Sequence, residues 1–409
     1  MSNPAIRRAA WQSIPLVVAC GCLIAMLGFG PRSTLGFFLT PMSSANGWGR
    51  DVFALALALQ MLLWGAAQPF VGAIADRFGP VLVLCLGTLL YAIGFGWMTY
   101  AATPGAMYLS AGVLIGFGLA GSSFTVVIGA FGKLLPPEWR NFSFGLGTAA
   151  GSFGQFLFSP VAIALNSAFD WHTTLLIFSG IVLLIIPLSL ALAAPKEAVS
   201  TQTAAQQSVS EALREALGHA SYVYLVLGFF TCGFQVFFIT VHLPAYLVDR
   251  GLSADIGALT IAMIGLFNIV GSITAGYLSN RMPKRYILAG IYFLRSVATV
   301  IFILVPASAV TAVIFGIVMG LLWLSTVPPT NALVALMFGT RWLTMLAGFA
   351  FFSHQVGGFL GVWLGGLMFE RTGSYDVIWW LSILLGLLSA VINLPIKETP
   401  VVRPAAAAA

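Results

Sequence analysis

The sequence predicts an all-α membrane protein, twelve transmembrane helices in two six-helix halves, on three observations. Of its 409 residues, 59% are hydrophobic and 7% charged, against roughly 25% charged in an average soluble domain. The apolar residues fall in continuous runs of about the 20 residues that a helix needs to cross a hydrocarbon core about 30 Å thick. Those runs do not alternate every second residue, which excludes a lipid-facing barrel. Backbone polar groups must then be satisfied within helices.

The runs follow one another with short polar breaks. Span 1 is expected over 12–39. Arg7 and Arg8 precede it as they would a signal peptide, but the run is too long for a signal core and lacks a small-residue cleavage site. Spans 2 to 6 are expected over 50–74, 81–101, 105–133, 141–166 and 171–194, so residues 1–194 form an N-terminal half. The one long polar segment, 195–219, reads as a cytoplasmic linker. Its end, SVSEALREALGH, has Ser208 or Ser210 as a cap and spaced leucines, which fits a short surface helix. Spans 7 to 12 are expected over 220–248, 254–279, 286–306, 309–336, 342–368 and 375–396, giving a C-terminal half over 220–396 and a cytoplasmic tail over 397–409.

Cytoplasmic loops carry the excess of lysine and arginine. With both termini inside, Arg7, Arg8, Arg77, Lys133, Arg140, Lys196, Arg214, Arg281, Lys284, Arg285, Arg341, Lys397 and Arg403 fall on the cytoplasmic side, and only Arg50, Arg250 and Arg371 fall outside. The expected location is a cell inner membrane, crossed many times. The formal charge of +6 reflects topology and gives no reason to consider nucleic acid. Cys20, Cys22, Cys85 and Cys232 all lie inside expected spans, where a thiol is an ordinary small apolar residue. No disulfide, metal site or cofactor is expected.

The halves echo each other. GAIADRFGP (72–80) follows span 2 and GYLSNRMPKR (276–285) follows span 8; GTAAGSFGQFL (147–157) in span 5 is matched by SHQVGGFLGVWL (353–364) in span 11. The second pair are small-residue faces that let helices approach closely. Repeats of this kind around a midplane site are a transporter architecture. The first turn resembles the major facilitator signature through Gly72, Asp76, Arg77 and Gly79, and the second resembles its degenerate copy. PRSTLGFF (31–38), PMSSANGWGR (41–50) and AAGSFG (149–154) resemble the bacterial monocarboxylate-transporter-like branch of that superfamily. The resemblance implies that spans 3, 6, 9 and 12 are peripheral.

Arg32 lies about 20 residues into span 1, which at about 1.5 Å per residue is past the bilayer middle toward the outside. A charge at such depth marks a pathway or a site facing the bundle interior; the structural alternative is a guanidinium that bonds carbonyls exposed by Pro31. Every aspartate and glutamate is expected in a loop or at a helix end, so Arg32 has no carboxylate partner, and its planar fork matches a substrate carboxylate. The branch resembled has a lysine there, implicated in substrate and proton handling; an arginine does not give up its proton. Arg295, near the middle of span 9, is a further substrate candidate or a staple to neighbouring helices. His242 on span 7 and His354 on span 11 are candidates for substrate contact and proton coupling, since histidine titrates in the physiological range; the alternative is a neutral, hydrogen-bonded interior histidine.

The resembling animal transporters carry an Asp-x-x-x-Arg pair in span 8, where this chain has Asn268 and Ser272. Recognition of charge then rests on Arg32 with histidine help. In span 10, WLSTVPPTNALV (323–334) has two prolines that free carbonyls near the midplane beside Ser325, Thr326 and Asn331, as in helices broken where they line a cavity; a hinge without ligand contact is the alternative. Asn331, Asn268 and Gln68 join the binding candidates, with Trp64 and Gln355 as wall candidates. Asp76, Arg77, Arg140 and Arg341 are gating candidates, with Asp76 expected against the positive N-terminal end of span 11. Asn280 and Pro283 should make the second latch weaker.

These readings predict a secondary transporter of a small organic anion, a monocarboxylate, by proton symport or anion exchange. Its expected partners are the anion, a proton or counter-anion and membrane lipid, and it is expected to function as a monomer. An exporter of drugs or other small metabolites is the first alternative, but such proteins usually use a membrane-embedded acid. An intramembrane enzyme or a sensor is the second, though an enzyme needs a nucleophile with a base and orienter.

Overall fold

The computed structural model describes residues 12–48, 50–193 and 207–401. The expected positions of Arg7, Arg8, Lys196 and Arg403, and most of the linker before Gln207, lie outside the described residues.

Among the described residues twelve apolar helices are long enough to cross a bilayer. Spans 1 to 6 are Ile14–Phe38, Leu55–Phe78, Pro80–Met98, Pro104–Leu134, Pro137–Ala168 and Trp171–Leu192. Spans 7 to 12 are Ala220–Asp249, Asp255–Leu278, Lys284–Leu304, Ala309–Phe338, Leu343–Phe369 and Asp376–Asn393. The expected spans are all present, with ends shifted by a few residues. The helix of span 2 runs to Phe78, past the expected 74, and that of span 5 starts at Pro137, before the expected 141. Hydropathy marks where apolar side chains stop, whereas a helix ends where its backbone is stopped. Gly79 does so with φ +93, a conformation that a residue with a Cβ rarely adopts, and Pro137 occupies the first turn where its missing N–H costs nothing. Asp76 and Arg77 therefore sit in the last turn of a helix.

Among the described residues four spans are interrupted, and span 6 breaks after Val182, resumes at Ile185–Ser189 and ends in a 3₁₀ turn at Leu190–Leu192. Span 1 passes from α-helix at Ser33 into a 3₁₀ turn at Leu35–Phe38. Span 4 carries a π-helical turn at Tyr108–Leu114. Span 10 splits into Ala309–Leu322 and Val327–Phe338. Such breaks leave backbone groups that need partners from other spans, and two of them shape the site.

The first six spans meet the last six mainly through span 2 against span 11 and span 5 against span 8. Glycine sets the closeness. A Cβ on Gly72 would lie 2.6 Å from the Thr344 carbonyl oxygen, and one on Gly145 would lie 2.7 Å from that of Ser272. The echoing small-residue faces serve within the halves: Gly154 of span 5 lies on the Met26 carbonyl of span 1, and Gly357 of span 11 lies on the Phe230 carbonyl of span 7. Ahead of span 7, Val209–Leu217 is the short surface helix, and Ser208 rather than Ser210 caps it, with Glu211 completing a capping box. The Ser208 backbone N–H holds the exposed Glu211 carboxyl below its usual pKa. The end of the bundle carrying this segment is called the linker end below.

Candidate functional site

A cavity of about 120 Å³ lies between the halves, lined by residues of spans 1, 2, 4, 5, 7, 8, 10 and 11. Among the described residues spans 3, 6, 9 and 12 contribute none to the lining. Its walls are largely aromatic, with Phe29, Trp64, Phe124, Phe237 and Phe351 among them, and its polar groups are Arg32, Ser152, Gln155, Thr240, Asn268, His354 and Gln355. Among the described residues Arg32 is the one permanent charge in this lining, and none of them brings a carboxylate to it.

Arg32 reaches the cavity from the last helical turn of span 1, just after Pro31. Its Nε donates to Gln60 Oε1 at 3.2 Å, and Gln60 Nε2 donates to the Ala111 carbonyl at 2.8 Å, inside the π-helical turn of span 4. A carbonyl in that irregular turn thus fixes a glutamine, and the glutamine fixes the arginine. The guanidinium carbon stands 5.7 Å from the Trp64 ring centre and 6.0 Å from that of Phe29, a favourable place for a cation. Neither terminal nitrogen of Arg32 has a hydrogen-bond partner among the described residues. Toward the described residues, the two donors that make a bidentate clasp are free.

His354 also lines the cavity, stacked on Phe351 at 5.7 Å between ring centres. Its Nδ1 lies 3.4 Å from Gln355 Oε1, and its buried Nε2 has no hydrogen-bond partner among the described residues. Gln355 in turn donates to the Met61 carbonyl of span 2. Asn268 lines the cavity too, but its amide is occupied. It donates to Ser152 Oγ at 2.6 Å and accepts from Ser272 and from the Leu324 backbone N–H at 2.9 Å, which the break in span 10 has left without a helical partner.

The structure does not bring the other binding candidates to this cavity. Arg295 is 0% exposed and holds the break in span 10, donating from Nε and Nη2 to the Leu322 carbonyl at 3.1 and 2.7 Å and from Nη1 to Gln235 at 3.3 Å. That carbonyl ends a helix and has no intrahelical donor, so the staple of the two sequence readings is what the geometry gives. His242 accepts or donates at the Val362 carbonyl, 2.9 Å away, and packs against Phe238 and Tyr375. Asn331 bonds back to Val327 of its own helix, below a floor made by Phe124, Phe229, Val327 and Phe351. Gln68 is buried where span 2 meets Gly348 of span 11. Packing between spans, which a single sequence does not show, carries these side chains elsewhere.

At the linker end Asp76 accepts from the Met345 backbone N–H at 2.8 Å, in the first turn of span 11, where that helix's exposed N–H groups lie. Its salt-bridge partner is Lys133 of span 4, at 2.8 Å, and none of the three arginines named as gating candidates. Arg77 stacks on Phe78, Arg140 donates to the Leu135 carbonyl and Arg341 lies over Trp342. The second latch is neutral: Asn280 accepts from Asn141 at 2.7 Å and reaches toward the Glu138 carbonyl, in the first turns of span 5. Hydrogen bonds joining the halves thus gather between the cavity and the linker end, which is closed. Sequence reasoning missed Gln60, Lys133, Ser152, Gln155 and Thr240. Ser152 lay within a motif already singled out, and Lys133 at the edge of a span.

Residues 21–362 match the model of the Major Facilitator Superfamily. Over 375 residues the chain is 29% identical to an uncharacterized MFS-type transporter of Bacillus subtilis, covering 89% of this chain and 90% of the relative. It is 26% identical over 380 residues to monocarboxylate transporter 11 of Homo sapiens, covering 90% of this chain and 79% of that one. Among solved structures the fold is similar to the Escherichia coli fucose:proton symporter, with a TM-score of 0.75, 17% identity and coverage of 94% and 99%. It is similar also to a proton:xylose symporter, with a TM-score of 0.71, 16% identity and coverage of 95% and 96%.

Proposed function

The chain belongs to the Major Facilitator Superfamily, and we propose that it carries a small organic anion, a monocarboxylate, across the membrane by alternating access with proton symport. The observation that carries this reading is Arg32: a guanidinium whose terminal nitrogens have no partner among the described residues, in a cavity to which those residues bring no carboxylate. A carboxylate seated there would complete a bidentate pair in a low-dielectric setting, and Trp64 and Phe29 would border its apolar body. The cavity of about 120 Å³ is small beside the roughly 300 to 1,000 Å³ typical of sites for drug-sized ligands, which favours a small cargo over the exporter reading. The monocarboxylate transporters among the relatives support the same substrate class. Following the lysine and arginine bias, the linker end is assigned to the cytoplasm, and the closed latch there makes this the state that loads from outside. Of the two histidines, His354 is assigned the coupling proton because it borders the cavity and its own buried Nε2 has no hydrogen-bond partner among the described residues.

The test is uptake of a panel of labelled carboxylates into proteoliposomes, with and without an inwardly acid-to-alkaline pH gradient. Gradient-stimulated uptake of at least one small monocarboxylate, with His354→Gln losing the stimulation and His242→Gln keeping it, is the expected result. Uptake of no carboxylate would overturn the substrate reading, and uptake indifferent to the gradient but driven by preloaded anion would replace symport with exchange.

A further inference from the structure

Behind His354, away from the cavity, lies a buried cluster that anion binding does not use. Cys232 of span 7 is 0% exposed. Its sulfur receives a hydrogen bond from Arg295 Nη2 at 3.7 Å and lies 3.2 Å from Thr326 Oγ1, at the break in span 10. The His354 imidazole faces the same sulfur. The backbone fixes this approach: at Gly233, the next residue, a Cβ would run into the His354 carbonyl oxygen. Tyr292 of span 9 is the remaining titratable group facing the thiol.

Burying a guanidinium without a negative partner is costly, and among the described residues Arg295 has a carbonyl, an amide and this sulfur as its acceptors. Of the groups around it that can become anionic, the thiol is by nature a stronger acid than the phenol of Tyr292 by about 1.5 pKa units. His354 spans the gap between the sulfur and the cavity, where a proton would arrive.

We propose that Cys232 and His354 together form the proton site of this carrier, with Arg295 as its fixed counter-cation. The proposal rests on the transport reading above and leaves the anion to Arg32. In the empty carrier the sulfur is a thiolate paired with Arg295, and His354 is neutral. A proton entering from the cavity binds His354 and passes to the sulfur, forming S–H. The lost negative charge is replaced by the carboxylate that binds at Arg32. With Arg32 and Arg295 counted, the interior carries one net positive charge both empty and loaded, so the proton and the anion are favoured together and neither is favoured alone. After the halves reorient, the anion leaves, the proton returns through His354 and the thiolate re-forms.

The test uses the full chain with Cys20, Cys22 and Cys85 replaced by alanine, so that Cys232 is the sole thiol. Its S–H infrared stretching band should vanish and return reversibly over the pH interval in which gradient-driven uptake changes. Cys232→Ser should lower the ratio of gradient-driven uptake to counterflow exchange at least tenfold. A band constant across that interval, or a Cys232→Ser carrier with the parent ratio, overturns the proposal. If the sole-thiol parent shows no counterflow of any carboxylate, the transport reading fails by itself, and the infrared band still decides whether Cys232 exchanges its proton.

Discussion

A charged side chain at membrane depth is expensive, and Arg32 meets that expense with neutral partners only: an amide oxygen at 3.2 Å and two aromatic faces. Its remaining hydrogen-bonding capacity is directed to nothing in the described protein. A charge-assisted bond is worth about 1.5 to 3 kcal/mol, so Arg32→Ala should weaken anion binding by about tenfold to over a hundredfold. Arg32→Lys should keep part of the affinity, since charge survives and the planar fork does not. Binding to the purified variants checks this, with thermal stability as the folding control; an alanine variant that binds at wild-type affinity removes Arg32 from the site. Gln60→Leu offers a second check. It frees Arg32 to leave its position and strands the Ala111 carbonyl, so binding should weaken without any loss of charge. Arg32 was legible in the sequence because a lone cation in an apolar run admits few explanations. Gln60 was not, because its importance comes from a π-helical turn in another span that no periodicity announces. His242 and His354 were equal candidates in the sequence as titratable groups within spans, and the fold separates them: His354 lines the cavity, while His242 lies against Val362 and Tyr375.

Between spans, the signature turn can now be read as geometry. Gly72 is glycine because a Cβ would meet Thr344 and Met345 backbone atoms at 2.6 to 2.8 Å, which cannot move aside as a side chain would. Gly79 is glycine because its φ is +93. Asp76 is buried and tied to Lys133 and to the start of span 11. Removing one partner of a buried ion pair costs roughly 3 to 5 kcal/mol, so Asp76→Asn and Lys133→Met should each disfavour the closed latch by on the order of a hundredfold or more. The double variant, which strands neither charge, should recover part of that. Gly72→Ala should open the same latch through overpacking worth about 1 to 3 kcal/mol. Labelling of a cysteine placed at Asn331, beneath the aromatic floor of the cavity, by an impermeant reagent from the linker side reads the opening. Unchanged labelling in all these variants would show that the latch does not hold this end shut. The pairing of Asp76 with span 11 followed from the helix-terminus argument applied to the sequence. Its pairing with Lys133 did not, since charge at a span edge was explained just as well by topology. The break in span 10 was visible from its prolines, but Arg295 and Asn268 as the groups that satisfy it required the fold.

At the scale of the whole molecule, twelve spans and their order were legible because bilayer thickness imposes a minimum apolar length on every helix, whereas nothing in hydropathy says which face of a span meets which. The lysine and arginine bias gives the direction in which the assembled carrier sits, and single cysteines at Ser210 and Ser253, exposed at opposite ends, should label from the cytoplasmic and outer sides respectively; the reverse pattern would invert the assignment of the closed end. The halves touch at the linker end through two latches related by the repeat, one charged at Asp76 and one neutral at Asn141 and Asn280. If alternating access works by rocking one half against the other, both must part in every cycle, and the neutral one offers a place to prevent it without disturbing the cavity. Asn141→Cys with Asn280→Cys puts two thiols where two amides now lie 2.7 Å apart. Oxidation should then arrest uptake and counterflow together while leaving anion binding from the outer side intact, and reduction should restore transport. Each single-cysteine variant under the same oxidant controls for damage elsewhere. An oxidised, verified cross-link that still permits transport at the reduced rate would mean that the linker end need not open, and that the closed state described here is not one half of a rocking cycle.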